Sequence, residues 1–193
     1  MSEGAPRPRV WLLRHGATEW SRHGRHTGRT DVALDPHGEQ QARQLGSRLA
    51  GRRFALVLVS PLARARQTCE LAGYGTDAQV DPDLREVDYG ELEGLTTAEI
   101  RGNAPGWTIW NGPWPGGESM TDAGVRVDRV IARVRAVDDG DVALFAHGHV
   151  LRVLAARWCA LDPAEGRCFS LDTATISVLG WEHEYPTVLR WNY

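Results

Sequence analysis

The stretch WLLRHGATEW, residues 11–20, places an arginine, a histidine and a glycine directly after an apolar run. Residues 10–13 are typical of a buried strand, so Arg14 and His15 stand at its carboxyl end. Open α/β sheets bind their ligands at the carboxyl ends of strands. Polar residues also end many strands without any function. We therefore predict a site here only if other strands also end in residues that could bind the same ligand.

Two further apolar runs end in related chemistry. The run at residues 55–59 leads into a helix that carries Arg64 and Arg66 in its first turns. The run at residues 142–146 ends in His-Gly-His at residues 147–149. Right-handed crossovers bring the ends of parallel strands to one edge of a sheet. Helix N-termini attract anions, and a guanidinium group can bind two phosphate oxygens at once in a bidentate contact. The three strand ends together therefore predict a phosphate-binding pocket.

The rest of the chain alternates strands with helices. Further strands are predicted at residues 78–81, within 173–182 and within 187–193. Helices are predicted at residues 36–50, after Ser60-Pro61, at 119–137 and at 150–160, and loops at 21–31 and 102–119. This alternation predicts an α/β fold, a three-layer α/β/α sandwich with a largely parallel central sheet, as a single domain over residues 1–193.

Composition limits the function classes. The 193 residues are 42% hydrophobic and 24% charged, with a net charge of -3 and no basic block, which argues against nucleic acid as the main partner. No apolar run reaches the length of a membrane span and the N-terminus lacks the apolar core of a secretory signal, so we expect no membrane association. Cys69, Cys159 and Cys168 form no disulfide framework, which favours the cytoplasm. The absence of lysine excludes chemistry that needs a lysine amine.

Four motifs in order strengthen the phosphate interpretation: LLRHGATEW with GRHTGRTD, then SPLARARQT, LREVDYGELEG and FAHGH. They resemble the histidine phosphatase superfamily in its phosphoglycerate mutase-like branch, and are most similar to the acid phosphatase and sugar-bisphosphate phosphatase members. The resemblance runs from about residue 10 to 157. It implies a phosphoglycerate mutase-like fold and a phosphomonoesterase that acts on a small phosphorylated substrate through a phosphohistidine, without metal or cofactor.

The resemblance also assigns roles to individual residues. His15 matches the family's nucleophile and Glu86 its proton donor. The residues that bind phosphoryl oxygens in the family match Arg14, Arg64 and His147. Substrate contacts match Ser21, Thr27, Gly28, Tyr89 and Gly148. The chemistry is consistent, because two guanidinium groups and a histidine can neutralise the transferred oxygens while an imidazole attacks phosphorus.

Two other classes of phosphatase do not fit the sequence, because the residues that they require are missing at the required positions. A cysteine phosphatase needs an arginine at a fixed distance after its cysteine, and Gly75, Glu165 and Ala174 occupy those positions. A binuclear zinc hydrolase needs a carboxylate beside its His-x-His pair, and none accompanies His147 and His149 in the sequence. Neither class therefore explains the motifs.

Several alternatives stay open on the sequence alone. From spacing, the proton donor could equally be one of the carboxylates near Glu86, namely Asp81, Asp83, Asp88, Glu91 and Glu93. The short interval between Glu86 and His147 disfavours, without excluding, a cofactor-dependent phosphoglycerate mutase. A catalytically inactive phosphate-binding module is a further alternative, and the protein could be a monomer or a homodimer. No role is assigned to Arg66, His149, Trp107, Trp110 and Trp114.

Overall fold

A six-stranded sheet forms the frame of the molecule in the computed structural model, which describes residues 7–49 and 51–193. The strands are β1 Val10–Arg14, β2 Leu56–Val59, β3 Ala78–Val80, β4 Val142–Ala146, β5 Ile176–Glu182 and β6 Tyr185–Arg190. Their order across the sheet is β3-β2-β4-β1-β5-β6. Strands β1 to β4 pair in parallel, whereas β5 is antiparallel to β1 and β6 is antiparallel to β5. The largely parallel sheet predicted from the sequence is confirmed.

The described part of the chain contains six α-helices. They are α1 Glu19–Arg22, α2 Pro36–Leu49, α3 Ala63–Leu71, α4 Thr97–Asn103, α5 Met120–Arg135 and α6 Gly148–Trp158. Helices α2, α3, α5 and α6 confirm predicted helices, although α6 begins two residues before the predicted start at residue 150. The last residue of the helix predicted at 36–50 lies outside the described residues.

Two short helices, α1 and α4, were not predicted from the sequence, and both begin with a capping box. Thr18 and Ser21 exchange hydrogen bonds at the start of α1, and Thr96 and Glu99 do so at the start of α4. Such pairs satisfy N–H groups that a helix leaves free at its first turn. Helices of one or two turns carry too little apolar periodicity to be recognised, so the capping residues were the available signal.

Alternate residues of β1 face opposite sides of the sheet. Val10 and Leu12 join a core cluster with residues of α5 and α6, while Trp11 and Leu13 join a second cluster with residues of α2 and α3. All four side chains are at most 5% exposed. Because both faces of the sheet are covered by helices, the predicted three-layer sandwich is confirmed.

The backbone after β1 packs directly on the first turn of α2. A Cβ atom on Gly38 would lie 2.0 Å from the carbonyl oxygen of Ala17, and one on Gly16 would lie 2.3 Å from that of Gly38. Only residues without a side chain allow this approach. The contact therefore fixes the segment that directly follows His15.

Two features of the structure are relevant to the predicted cytoplasmic location, namely the state of the cysteines and the character of the helices. Cys69, Cys159 and Cys168 are free thiols, and burial raises the pKa of Cys69 to about 12. None of the helices in the described residues is both long and apolar enough to cross a membrane. The cytoplasmic location and the single domain over residues 1–193 stay predictions.

We expect Gly38→Ala to destabilise the protein, because its methyl group cannot fit against the Ala17 carbonyl. Overpacking of this kind costs about 1–3 kcal/mol, which lowers Tm by about 2–12 °C in a domain of this size. Gly102→Ala is the matched control: Gly102 also lies in a helix, and a Cβ there meets no atom within 4 Å. Thermal unfolding followed by circular dichroism measures both; equal Tm values for the two variants would contradict the close backbone contact.

Candidate active site

The carboxyl ends of β1, β2 and β4 meet at one edge of the sheet, since β4 lies between the other two strands. The rings of His15 and His147, which follow β1 and β4, are 5.1 Å apart between centroids. Ser60, which follows β2, lies 2.7 Å from His147 Nε2 through its hydroxyl oxygen. The convergence of the three strand ends, predicted from the sequence, is thus present in the structure.

His15 is a buried, neutral imidazole with one free ring nitrogen. Its side chain lies 2.7 Å from the Gly16 carbonyl oxygen through Nδ1, which must carry the proton because a carbonyl only accepts. Nε2 is then unprotonated, with its lone pair available. Burial, and next the guanidinium groups of Arg64 and Arg14, hold the pKa of His15 well below 6.5. The environment therefore keeps this nitrogen nucleophilic in mildly acidic solution.

Arg64 ties the edge of the sheet to the loop after α1. It is 1% exposed, and its Nε donates to His147 Nδ1 over 3.1 Å. Its terminal nitrogens donate to the carbonyl oxygens of Thr27, Gly28 and Thr30. Since His147 accepts at Nδ1, its proton is on Nε2 and is donated to Ser60. Burial, followed by the nearby Arg64 charge, keeps the pKa of His147 well below 6.5.

Arg14 projects from the end of β1, and only part of its guanidinium group is hydrogen-bonded. Nη1 donates to the Leu171 carbonyl oxygen, whereas the buried Nε has no hydrogen-bond partner among the described residues. A Cβ at Gly148 would lie 3.2 Å from Arg14 Cζ, so the glycine leaves room for this group at the start of α6. Orphaned buried donors are rare in proteins, and they call for a partner such as a ligand oxygen.

Glu86 is the carboxylate of this site and is fixed by backbone donors. Oε1 accepts from the N–H groups of Val87 and Val150, both over 2.9 Å, and Oε2 accepts from that of His149 over 3.0 Å. Two of these donors belong to the first turn of α6, where the helix dipole favours negative charge. Glu86 therefore links the segment after β3 to the helix that follows His147.

A cavity of about 170 Å³ joins most of the predicted site residues. Its walls include the predicted residues Arg14, His15, Ser21, Thr27, Glu86, Tyr89 and Gly148. Arg64 and His147 lie buried behind this wall, in contact with each other. Gly28 lines a neighbouring cavity of about 390 Å³ that shares Glu86 with the first.

Several of the residues predicted to contact substrate already form hydrogen bonds within the protein. The Ser21 hydroxyl donates to the Thr18 carbonyl oxygen in the cap of α1, and the Thr27 hydroxyl donates to that of Arg25. The Gly28 N–H donates to the Glu93 carboxylate over 2.8 Å. Their roles in contacting substrate stay predictions.

The rival carboxylates are engaged elsewhere. Asp81, Asp83 and Asp88 form ion pairs with Arg133, Arg129 and Arg29 respectively. Glu93 accepts from backbone N–H groups of residues 28 and 30, and Glu91 is exposed. Of these six carboxylates, all in the described part of the chain, Glu86 is the one that lines the cavity with His15. The geometry therefore distinguishes it where spacing alone could not.

Four basic residues of the cavity wall were not predicted: Arg25, His26, His149 and Arg152. The sequence contained a signal for Arg152, which lies four residues after Gly148 in α6 and hence on the same face of the helix. His149 was noticed but received no role. Arg66, also without a role, is exposed and does not line the cavity.

The tryptophans of residues 102–119 mainly pack within their own segment. Trp107 and Trp114 donate their indole N–H groups to the carbonyl oxygens of Pro113 and Ile109. Trp110 differs, because its ring contacts both His149 and Arg152. This segment therefore supports one wall of the cavity.

Comparisons with known proteins identify the family. A sequence model of the histidine phosphatase superfamily (branch 1) matches residues 10–193. The chain belongs to this superfamily. An acid phosphatase of Mycobacterium tuberculosis is 40% identical over 183 residues, covering 93% of this chain and 90% of the relative. A sedoheptulose 1,7-bisphosphatase of Saccharomyces cerevisiae is 38% identical, covering 86% and 72%.

A solved structure agrees with the sequence relatives. A mycobacterial glucosyl-3-phosphoglycerate phosphatase, in complex with VO3, superposes with a TM-score of 0.86 at 30% identity, covering 96% of this chain and 98% of that one. The predicted superfamily and fold are confirmed. The names of these histidine phosphatase relatives support a phosphatase of small metabolites.

The buried histidines of this histidine phosphatase make its stability depend on pH. Burial holds the pKa of His15, His147 and His149 well below 6.5 in the folded protein. The unfolded chain therefore binds more protons below about pH 6.5, so the free energy of unfolding must decrease as the pH falls through that value. Each such histidine adds a slope of up to about 1.4 kcal/mol per pH unit.

Denaturant unfolding between about pH 7.5 and about pH 5 measures this slope. His147→Asn should reduce it by up to about 1.4 kcal/mol per pH unit, because one buried histidine is gone. His37→Asn, at an exposed position of α2, should retain the wild-type slope. A His147→Asn slope equal to that of the wild type would mean that this histidine is not held neutral by the fold.

Proposed function

We propose that the protein is a metal-independent phosphatase that hydrolyses small phosphorylated metabolites through a phosphohistidine on His15. One observation carries the proposal: a buried, neutral imidazole with a free Nε2 lines the same cavity as a partly unpaired guanidinium and a fixed carboxyl group. These are the nucleophile, the oxyanion ligand and the proton carrier that phosphoryl transfer needs.

Binding of the phosphoryl group is the role proposed for the cationic side of the cavity. The Arg14 Nε–H donates to a phosphoryl oxygen, and the Arg64 charge behind it adds attraction. His147, buried behind the cavity wall, is the further phosphoryl ligand that we propose, through the Nε2–H that donates to Ser60 in the structure. Charge from these groups neutralises the equatorial oxygens, which is the task that Mg²⁺ performs in other phosphoryl-transfer enzymes.

The proposed chemistry has two steps. In the first, the His15 Nε2 lone pair forms a bond to phosphorus and the ester P–O bond breaks. Glu86, which carries a proton in the substrate complex because the phosphate dianion repels a second negative charge, gives that proton to the departing oxygen. In the second, Glu86 accepts a proton from a water molecule whose oxygen attacks phosphorus, and the N–P bond breaks to release phosphate and restore neutral His15. Splitting the reaction in this way replaces one difficult displacement by two easier ones.

The size of the cavity supports a small substrate. Even together with the adjoining cavity of about 390 Å³ that shares Glu86, its volume of about 170 Å³ stays within the range of about 300–1,000 Å³ that is typical for small-molecule sites. Small phosphorylated molecules are therefore the partner that we propose. A phosphoglycerate mutase would use the same phosphohistidine but pass the group to a second hydroxyl, so phosphate release to water separates the two activities.

The role of Glu86 is tested through the leaving group. We expect Glu86→Gln to slow phosphoenzyme formation from an alkyl phosphate by about 10²–10⁴-fold, because the alkoxide then departs without a proton. The loss with nitrophenyl phosphate should be much smaller, since nitrophenolate leaves readily as an anion. Single-turnover measurements in excess chelator report this step and test the independence from metal together.

Glu91→Gln is the matched control, because Glu91 lies in the same segment but is exposed. It should retain wild-type rates on both substrates. Equal losses on the two substrates in Glu86→Gln would make Glu86 a structural residue. Loss of all wild-type turnover in chelator, with recovery on adding a divalent ion, would overturn the metal-independent mechanism.

A further inference from the structure

A separate cavity of about 310 Å³ lies at the opposite end of β1 from His15. Arg9, which directly precedes β1, lines this cavity, whereas Arg14 at the end of the strand lines the catalytic one. A strand rises about 3.3 Å per residue, which separates the two arginines by about 16 Å along the chain. The two cavities share no residue, so the mechanism proposed above makes no use of the second one.

The floor of this cavity is apolar and partly open to solvent. Trp11 of β1 and Val178 of β5 belong to the core cluster that α2 and α3 cover, whereas none of the residues of β6, all of which the structure describes, belongs to it. Leu189 of β6 and Tyr193, which follows that strand, are 42% and 39% exposed. The cavity therefore lies where α2 ends and the outer strands of the sheet continue without a covering helix.

Four guanidinium groups surround this floor, and we call the site the arginine cavity. They belong to Arg9, to Arg48 in the last turn of α2, to Arg52 after that helix, and to Arg190 at the end of β6. Among the residues that the structure describes, no carboxylate lines the cavity and none of these four side chains forms an ion pair. The protein as a whole has a net charge of -3, so this uncompensated positive charge is a local feature.

Aromatic rings hold three of the four guanidinium groups in place. Arg52 Cζ lies 4.1 Å from the centroid of the Trp11 ring. Arg48 and Arg190 approach the Tyr193 ring, with Cζ at 5.4 Å and 5.6 Å from its centroid. These distances are those of cation–π contacts, which orient a guanidinium group without neutralising its charge.

The two rings are themselves fixed by hydrogen bonds. The Trp11 indole N–H donates to the Asp141 carboxylate over 2.9 Å, and the same carboxylate accepts from the Arg9 backbone N–H over 3.3 Å. The backbone N–H and carbonyl of Tyr193 pair with those of Ile176 at 3.1 Å and 3.0 Å. The cations are therefore arranged before any ligand arrives, which lowers the entropic cost of binding one.

We propose that the arginine cavity is a second, non-catalytic ligand site that binds a nucleoside di- or triphosphate. Guanidinium groups bind phosphate oxygens in bidentate contacts, and four of them match a chain of phosphates better than a single one. Leu189, Tyr193 and the flat faces of the arginines offer a surface on which a planar base can pack. The volume of about 310 Å³ lies within the range of about 300–1,000 Å³ for small-molecule sites.

Self-association is the alternative use of an exposed apolar patch. In a twofold dimer the same patch of each subunit faces its copy, which here would bring four guanidinium groups against four others. Like charges placed opposite each other at an interface repel. Charge therefore favours an anionic ligand over a second copy of the chain.

A purely structural role is the alternative for the arginines, whose stems cover the two rings. Such packing needs the apolar stem and not the charge, so a methionine would largely replace it. A phosphate chain needs the charge. Arginine-to-methionine variants therefore separate the two roles when ligand affinity is measured.

The experiment is calorimetric titration of the His15→Ala protein, which cannot turn over the probe through His15, in excess chelator. The probes are ATP, tripolyphosphate and adenosine. We expect saturable binding of ATP, weaker binding of tripolyphosphate, which lacks the base, and no measurable binding of adenosine, which lacks the phosphates. Equal affinity for ATP and tripolyphosphate would overturn the assignment to a nucleotide.

A double variant locates the binding site. Arg48→Met with Arg52→Met should weaken ATP binding by at least about tenfold, which corresponds to the loss of one charge-assisted hydrogen bond. Arg43→Met with Arg53→Met is the matched control, because it removes two exposed arginines from the same part of the chain that do not line the cavity. The control should retain the affinity of the His15→Ala parent.

Two further variants keep the test independent of folding and of the catalytic cavity. Arg190→Met changes the opposite side of the arginine cavity and should also weaken ATP binding. Arg14→Met removes a cation of the catalytic cavity and should leave the tighter binding of ATP intact. Loss of that binding in Arg14→Met, with retention in the Arg48→Met and Arg52→Met double variant, would place ATP in the catalytic cavity and overturn the proposal.

The absence of saturable ATP binding by the His15→Ala protein would also overturn the proposal, without any change in the arginine cavity. Equal affinities of the double variant and its control would do the same. The proposal does not depend on the phosphatase function. Failure of that function would appear as absent turnover of all phosphate esters by the wild type, while ATP binding stayed measurable.

Discussion

The buried guanidinium of Arg64 is the constraint on which the arrangement of the site depends. A cation that is 1% exposed and lacks a carboxylate partner in the described residues is costly unless acceptors surround it. Arg64 meets this requirement with one imidazole nitrogen and three backbone carbonyl oxygens. Those acceptors belong to the end of β4 and to the loop after α1. Satisfying one charge therefore brings together segments that are far apart in the sequence.

The same positive charge prepares the chemistry. Arg64 and Arg14, together with burial, keep His15 neutral at a place where a phosphate dianion is attracted. A site that attracted anions with a protonated His15 would have lost its nucleophile. Glu86 supplies the proton carrier, because its carboxyl group is held at the start of α6 and lines the same cavity as Arg14. The nucleophile, the positive charge and the proton carrier are thus all positioned by the ends of three strands and the start of one helix.

Sequence patterns predicted the parts of the molecule that depend on periodicity and on strand ends. The apolar runs before Arg14, Ser60 and His147 predicted three buried strands and their common edge, and β1, β2 and β4 confirm both. Hydrogen-bond partners could not be predicted, because they depend on side-chain rotamers: neither the unpaired Nε of Arg14 nor the Arg64–His147 bond has a sequence signal. The wall formed by His149 and Arg152 was missed because its orientation comes from Trp110, in a segment without periodicity.

The central claim is that the phosphoryl group passes through His15, and trapping the phosphoenzyme tests it most directly. The protein is mixed with a phosphate ester carrying labelled phosphorus, quenched within the first turnover in base, and mapped by peptide mass spectrometry. The mechanism predicts an acid-labile, base-stable phosphate on the peptide that contains Arg14 and His15, and no label in His15→Ala. A label on His147, a label that persists in His15→Ala, or hydrolysis by the wild type without any labelled protein during the first turnover would contradict it.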